Sequence, residues 1–167
     1  YDLSGLATDA QISAATVRLV ASNASPTTEA VTLRGYEGLR PWTELGATWN
    51  VYSAANSWNT AGARGANVDV TGTPASNSGA KFTFSAPIGS SDGTVLTSTG
   101  FATYIQDIVT AGGSSVDFAL HNSFNEGQHL SINSSRGTEG SRPKLQMTYT
   151  SVIGSGGGGG TGPGATG

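Results

Sequence analysis

Residues 15–21 read Ala-Thr-Val-Arg-Leu-Val-Ala, with apolar side chains at 15, 17, 19 and 21 and polar ones at 16 and 18. Successive side chains of a β-strand point to opposite faces, so this pattern predicts a strand with one buried face. The alternation recurs at 31–34, 81–85, 116–120, 130–132 and 144–149. Turn residues such as Thr73-Pro74 and Ser91-Asp92-Gly93 separate these segments. The sequence therefore predicts an all-β fold, an antiparallel jelly-roll β-sandwich.

One segment departs from this pattern and predicts a short helix. Its apolar residues recur at helical spacing: Phe101, Tyr104, Ile105, Ile108 and Ala111. Thr99 is the expected N-cap, and the glycines at 112–113 are the expected end. We expect this helix to lie over one end of the sandwich.

The predicted core consists of the apolar faces of the strands, the apolar face of the helix and one tryptophan. Its members are Val17, Leu19, Val31, Leu33, Trp49, Phe82, Phe84, Phe101, Ile105, Val116, Phe118, Leu120, Leu145, Met147 and Tyr149.

The composition changes near the end of the chain, which has 167 residues. Residues 154–167 contain 9 of the 25 glycines, whereas the preceding part carries an ordinary glycine load. We therefore expect a sandwich module at 1–152 and a Gly-rich tail or linker at 153–167. The opening Tyr-Asp-Leu-Ser reads as the interior of a domain, so we expect the natural polypeptide to extend upstream.

Charge and cysteine content exclude several classes of function. Charged residues make up 11% of the chain and the formal net charge is −3, which argues against nucleic acid as a partner. The absence of cysteine excludes disulfides, thiol catalysis and thiolate zinc sites. No apolar run reaches the length of a membrane span.

Catalytic and metal-binding patterns are weak. The histidines, His121 and His129, lack the context of a catalytic triad. Carboxylates that could act in pairs on a glycoside do not form a recognisable pair: Glu44, Asp69, Asp107, Asp117, Glu126 and Glu139. We therefore expect no catalytic residues and no required cofactor. A structural calcium is a further alternative, with Asp2, Asp69 and Asp117 as candidate ligands.

The richest ligand-like stretch contains four aromatic residues: Trp42, Trp49, Tyr52 and Trp58. Sugar rings stack on exposed aromatic faces, and amide or charged groups hold their hydroxyls. Trp49, and with it Trp42, is expected in the core, because large aromatic residues are mostly buried. The predicted glycan-binding residues are therefore Trp58, Tyr52, Asn56 and Arg64, although a loop tryptophan more often fills a core or an interface.

The order of several motifs resembles that of DNRLRE-type domains, which are related to carbohydrate-binding module family 96. The similarity covers residues 1 to about 150. The pieces that carry it are the opening Tyr-Asp-Leu-Ser-Gly-Leu, Trp42-Thr43-Glu44 leading into Thr48-Trp49-Asn50, and the closing Arg142-Pro143-Lys144-Leu145.

This resemblance implies a jelly-roll module of secreted proteins, polysaccharide-active enzymes or phage structural proteins, some of which bind polysaccharides. Domains of this family usually carry one or two strands before the Asp-Leu-Ser segment. The resemblance thus also implies that the chain lacks its natural N-terminal strands, or that another chain completes the sheet.

Three functions remain open. We expect a non-catalytic structural or display module of an extracellular or virion-surface assembly, such as a phage decoration, fibre or tail protein or a surface filament subunit. Its expected partners are copies of itself or neighbouring structural proteins, with glycan adhesion as an added role. The alternatives are a carbohydrate-binding module of a secreted polysaccharide-active enzyme and, ranked last, a hydrolase.

Overall fold

A computed structural model describes residues 1–22, 26–122 and 130–151. Eight strands and one α-helix form in this part of the chain. The strands are β1 Gln11–Val20, β2 Val31–Glu37, β3 Val51–Ser53, β4 Asn56–Ser57, β5 Phe82–Ala86, β6 Val95–Thr97, β7 Phe118–Asn122 and β8 Lys144–Thr150. The helix, α1, spans Phe101–Thr110, and short 3-10 turns occupy Pro74–Ser76 and Glu139–Ser141.

The strands form two antiparallel three-stranded sheets and one small hairpin. The sheets have the strand orders β6-β1-β8 and β5-β2-β7, and the hairpin is β3-β4. The chain repeatedly crosses from one sheet to the other, because β1, β6 and β8 lie in one and β2, β5 and β7 in the other. The prediction of an all-β antiparallel sandwich with one short helix is confirmed.

One hydrophobic core fills the space between the sheets. Val17 and Leu19 of β1 and Leu33 of β2 contribute to it, together with Phe82 and Phe84 of β5. The alternation that predicted these strands therefore assigned their buried faces correctly. Four predicted core residues are only partly buried, although they pack against the core: Phe118, Leu120, Leu145 and Met147.

Two predicted core residues lie outside the core. The side chain of Trp49 is 60% exposed, because it belongs to a long connection between strands rather than to a sheet. Tyr149 is 38% exposed, because it lies near the end of β8, a strand at the edge of its sheet. Alternation identifies the apolar face of a strand but not whether another layer covers that face.

The helix packs its apolar face on the core through Phe101, Tyr104, Ile105 and Val109. The predicted N-cap is wrong: the N-cap is Gly100, with a φ of 84° and no side-chain capping bond. The predicted end is correct, since Gly112 has a φ of 73° and its N–H and that of Gly113 bond to Val109 and Ile108 carbonyls. This is the hydrogen-bond pattern that a C-terminal glycine permits.

The beginning of the chain lies beside the segment that leads into β7. The Leu3 amide donates to the Ser114 carbonyl and the Val116 amide to the Tyr1 carbonyl, and Leu3 enters the core. The tail at 153–167, the turns at 23–25 and 125–127, and His129 are outside the described residues. No helix of the described part is long and apolar enough to cross a membrane.

Candidate functional site

Residues 38–80, which form nearly all of the long connection between β2 and β5, fold back over the outer face of the β5-β2-β7 sheet. We call this segment the insertion. Gly38 pairs with Val70 in a β-bridge, and the Thr71 amide donates to the Glu37 carbonyl. Beneath it, Tyr36 of β2 is completely buried against Ala63 and Val70. The insertion therefore buries residues on the outer face of the sheet, which an ordinary sandwich would expose to water.

Asp69 holds the insertion together from within. Its side chain has no solvent-exposed surface and accepts the amides of Asn59, Thr60 and Gly65, each at 2.9 Å. The guanidinium of Arg40 approaches the same carboxylate at 3.4 Å. Burial acts to raise the pKa of Asp69, but these hydrogen bonds together outweigh it and lower that pKa. An ionised carboxylate thus closes the loop.

The predicted glycan-binding residues Tyr52 and Trp58 contact each other. Their ring centroids are 5.5 Å apart, and the Trp58 indole N–H donates to the Thr48 carbonyl at 2.9 Å. The guanidinium of Arg40 lies over the Tyr52 ring, 5.6 Å from its centroid. Both aromatic side chains are half-buried, and Trp58 packs against the small core under the insertion. They form part of a rigid wall rather than a free platform.

The other two predicted residues occupy different places. Asn56 is exposed on the β3-β4 hairpin and donates to the Ser53 hydroxyl at 2.9 Å. Arg64 is half-buried, with its guanidinium 5.3 Å from the ring centroid of Trp49. The arginine thus supports an exposed aromatic ring that the sequence interpretation had placed in the core.

Exposure of Trp42 and Trp49 is the feature that sequence reasoning missed. Trp42 is 41% exposed and lines a cavity of about 160 Å³ together with Trp58, Arg40 and Asp69. The remaining lining is mostly apolar and includes Ala47, Ala63, Val70, Phe118 and Ala119. The low β-propensity and the turn residues around both tryptophans indicate a loop, which was the available signal for exposure.

Two of the carboxylates left open for hydrolysis, Asp107 and Asp117, line a second cleft of about 340 Å³ with Glu37 and Lys81. Both aspartates are exposed, and Lys81 approaches Glu37 at 3.6 Å. A general acid needs a carboxyl group that an apolar setting keeps protonated. Neither aspartate lies in an enclosed apolar pocket, since both are exposed and Lys81 lines the same cleft.

The three calcium candidates differ in what their carboxylates contact. Asp69 does not fit a calcium ligand, because N–H donors and a guanidinium already engage both of its oxygens. Asp2 is exposed and accepts the Ser4 amide, while Asp117 accepts the Ser115 hydroxyl. Within the described ranges, no three His, Asp or Glu side chains come together in a metal-binding group.

His121 of β7 is buried under the insertion. Its ring meets the Tyr36 ring edge-on, with 5.5 Å between centroids. Burial, and then the charge of Arg64, lower the pKa of His121, although a hydrogen bond to the Ala63 backbone opposes them.

Comparisons of the chain with protein-family models, with curated proteins and with solved structures gave no match.

Proposed function

We propose that this chain is a non-catalytic module of a larger extracellular or virion-surface assembly and that its insertion forms the contact with neighbouring proteins. The observation that carries this proposal is a run of exposed apolar side chains in the insertion, which we call the apolar stretch: Leu39, Trp42, Leu45 and Trp49. Leu45 is 82% exposed and Trp49 is 60% exposed. Tryptophan is among the residues that most often dominate the binding energy at protein interfaces, and apolar side chains around it help to exclude water.

The internal bonding of the insertion supports a docking role. The Asp69 hydrogen bonds fix the loop around residues 59–65, and Arg64 supports the Trp49 ring. A contact surface that is already ordered loses less conformational entropy on binding than a mobile loop. The partners we infer are copies of this chain or neighbouring structural proteins, as the resemblance to DNRLRE-type modules implies.

Within residues 1–22, 26–122 and 130–151, the carboxylates described above do not pair with His121 in an acid–base system, and this supports a non-catalytic role. Asp69 is fully engaged in structural hydrogen bonds, and the aspartates of the second cleft are exposed. Among the described residues, the groups that act on His121 are Tyr36, Arg64 and the Ala63 backbone, whereas a catalytic base is oriented by a carboxylate.

Light scattering over a wide range of protein concentration tests this proposal. We expect the molar mass to rise with concentration and to return to that of a monomer in Leu45→Ser and Trp49→Ser. Ile88→Ser is the matched control, because Ile88 is 69% exposed but lies outside the insertion. A monomer at every concentration, or equal effects of all three substitutions, would contradict self-assembly through the insertion.

Glycan binding is the second candidate, and the cavity between Trp42 and Trp58 favours it. Its two tryptophans could cover the faces of a sugar ring while Arg40 holds hydroxyl groups. A glycan array followed by titration calorimetry tests this role. Binding that Trp42→Ala and Trp58→Ala abolish, and that Tyr149→Ala leaves unchanged, would favour a carbohydrate-binding module. An array without any bound glycan would reject it.

A further inference from the structure

A cluster of cationic and hydrogen-bonding side chains lies between the β5-β2-β7 sheet and the insertion. Arg34 of β2 is the register partner of His121 of β7, and Tyr36 lies two residues along the same face of β2. The rings of Tyr36 and His121 are in edge contact. The insertion adds Arg64, whose charge acts on His121, while the charge of Arg34 acts on Tyr36.

The three sheet residues of this cluster each have an atom that is shielded from solvent without a hydrogen-bond partner in the described part of the chain. They are Nη1 of Arg34, the hydroxyl of Tyr36 and Nε2 of His121. Tyr36 is 0% exposed and His121 is 8% exposed. Buried polar groups in native proteins are nearly always satisfied, because leaving one unsatisfied carries a desolvation penalty. Three such groups in neighbouring positions therefore need a common explanation.

The ion pairs of the described residues indicate that a bound anion could explain these three groups. Within residues 1–22, 26–122 and 130–151, the carboxylates that form ion pairs are Asp69 with Arg40 and Glu37 with Lys81. Arg34 is half-buried and forms no ion pair with a residue in those ranges. A partly buried guanidinium is stabilised by a bidentate anion, and the neighbouring hydroxyl and imidazole can donate to the same anion.

We propose that Arg34, Tyr36 and His121 form a binding site for one small oxyanion of the carboxylate or sulfate class. The guanidinium of Arg34 supplies the principal charge and the Tyr36 hydroxyl donates a hydrogen bond. Burial and the charge of Arg64 lower the pKa of His121, whereas a bound anion raises it, so His121 donates from Nε2 in the imidazolium form that anion binding favours. Arg64 adds positive charge from the insertion. Both arginines are half-buried rather than fully enclosed. Arg64 also contacts Trp49 of the apolar stretch, but Arg34, Tyr36 and His121 lie in the sheet, so the site does not depend on the docking role.

Sulfate titration followed by NMR of the histidine ring signals tests the site directly. Ionic strength is held constant with sodium chloride, and His129→Gln identifies which signal belongs to His121, because the chain has two histidines. We expect a saturable shift of the His121 signal in the wild type. Arg34→Gln should raise the dissociation constant by about tenfold or more, because a charge-assisted bond is lost.

Two further variants separate binding from a structural effect. Arg18→Gln is the matched control, since Arg18 belongs to a strand of the opposite sheet and bonds to the Gly140 carbonyl at 3.0 Å. It should keep the wild-type dissociation constant. Tyr36→Phe preserves the shape of the ring and removes only the hydroxyl, so it should weaken sulfate binding several-fold while the melting temperature without sulfate stays the same or rises.

The source of the oxyanion is distinguished by comparing sulfate with dextran sulfate and, as its neutral counterpart, dextran. Binding of dextran sulfate that Arg34→Gln weakens shows that a polymer can carry the group, whereas binding of free sulfate alone assigns the site to a small ion. The proposal is overturned if neither sulfate nor acetate gives a saturable shift of His121. It is equally overturned if Arg34→Gln retains the wild-type dissociation constant.

Discussion

Gly35 shows how a single residue position shapes the core. It is the register partner of Phe82 across β2 and β5, and the Phe82 ring lies directly over it. A β-carbon at Gly35 would meet the ring atoms at 2.1–2.5 Å, closer than any van der Waals contact. Phe82 also contacts the rings of Phe84, Phe101 and Tyr104. The missing side chain therefore makes room for the centre of an aromatic cluster.

Gly35→Ala should reduce the free energy of unfolding by about 3 kcal/mol, near the upper end for overpacking a core. The ring cannot move aside without disturbing its aromatic neighbours, which is why we expect a large effect. Urea unfolding measures it. Gly5→Ala is the control, because a β-carbon at Gly5 meets nothing within 4 Å. Equal stability of the two variants would show that the Phe82 ring can readily find another position.

At the scale of elements, strand alternation predicted β1, β2, β5 and β8 and much of the core between them. The helix was equally evident, since its apolar spacing reflects the single face that contacts the sandwich. These elements are predictable because each one buries a single face, so its apolar residues recur with the period of a strand or of a helix. The three-residue strand β6 was missed, since so short a segment has no measurable period.

The insertion could not be predicted in the same way, because its residues are positioned by specific bonds rather than by a period. Asp69 was interpreted as a calcium candidate, whereas its oxygens accept backbone amides that only the folded loop brings together. The same lack of a period explains why Trp49 was expected in the core and Trp58 in a free loop position. The small core under the insertion brings Tyr36 into contact with residues that are distant in sequence, Ala63 and Val70.

The helix is joined to β1 by one glutamine. Oε1 of Gln106 accepts the Ile12 amide at 2.8 Å and its Nε2 donates to the Ala10 carbonyl at 3.1 Å. This contact lies where the β1-β8 ladder shifts register between Ile12 and Ala14. The side chain thus satisfies strand backbone groups at an interruption of the ladder.

Gln106→Ala should lower the free energy of unfolding by about 2 kcal/mol, because it leaves two partly buried backbone groups without their partner. Thr103→Ala is the matched control, since Thr103 is exposed on the same helix. Both substitutions raise helix propensity, so a difference between them reports the lost hydrogen bonds. Chemical denaturation gives the comparison, and equal stability of both variants would rule out a bridging role for Gln106.

At the scale of the whole molecule, two cores of different size lie on opposite sides of the β5-β2-β7 sheet. The large one joins both sheets and the helix, while the small one joins the insertion to the outer face. Regions with few buried apolar contacts open at lower free energy than the centre of a domain. The insertion should therefore open locally while the sandwich stays folded, and its closure should depend mainly on the ionised carboxylate of Asp69.

Asp69→Asn tests this dependence, because the amide keeps the shape of the side chain but replaces one acceptor oxygen with a donor and removes the charge that faces Arg40. At neutral pH we expect a loss of about 2–3 kcal/mol for a buried group with charge-assisted bonds. Hydrogen exchange should accelerate in the insertion and remain slow in β1.

The same substitution should also change the pH dependence of stability. Because the pKa of Asp69 is lowered in the fold, its stabilising contribution is present above the pKa of an ordinary Asp and is lost as the pH falls towards the lowered pKa. The difference between wild type and Asp69→Asn should therefore narrow below about pH 4, whereas Asp92→Asn, at an exposed turn, should match the wild type throughout. Equal acceleration of exchange in β1 and the insertion would instead mean that the two cores unfold as one unit.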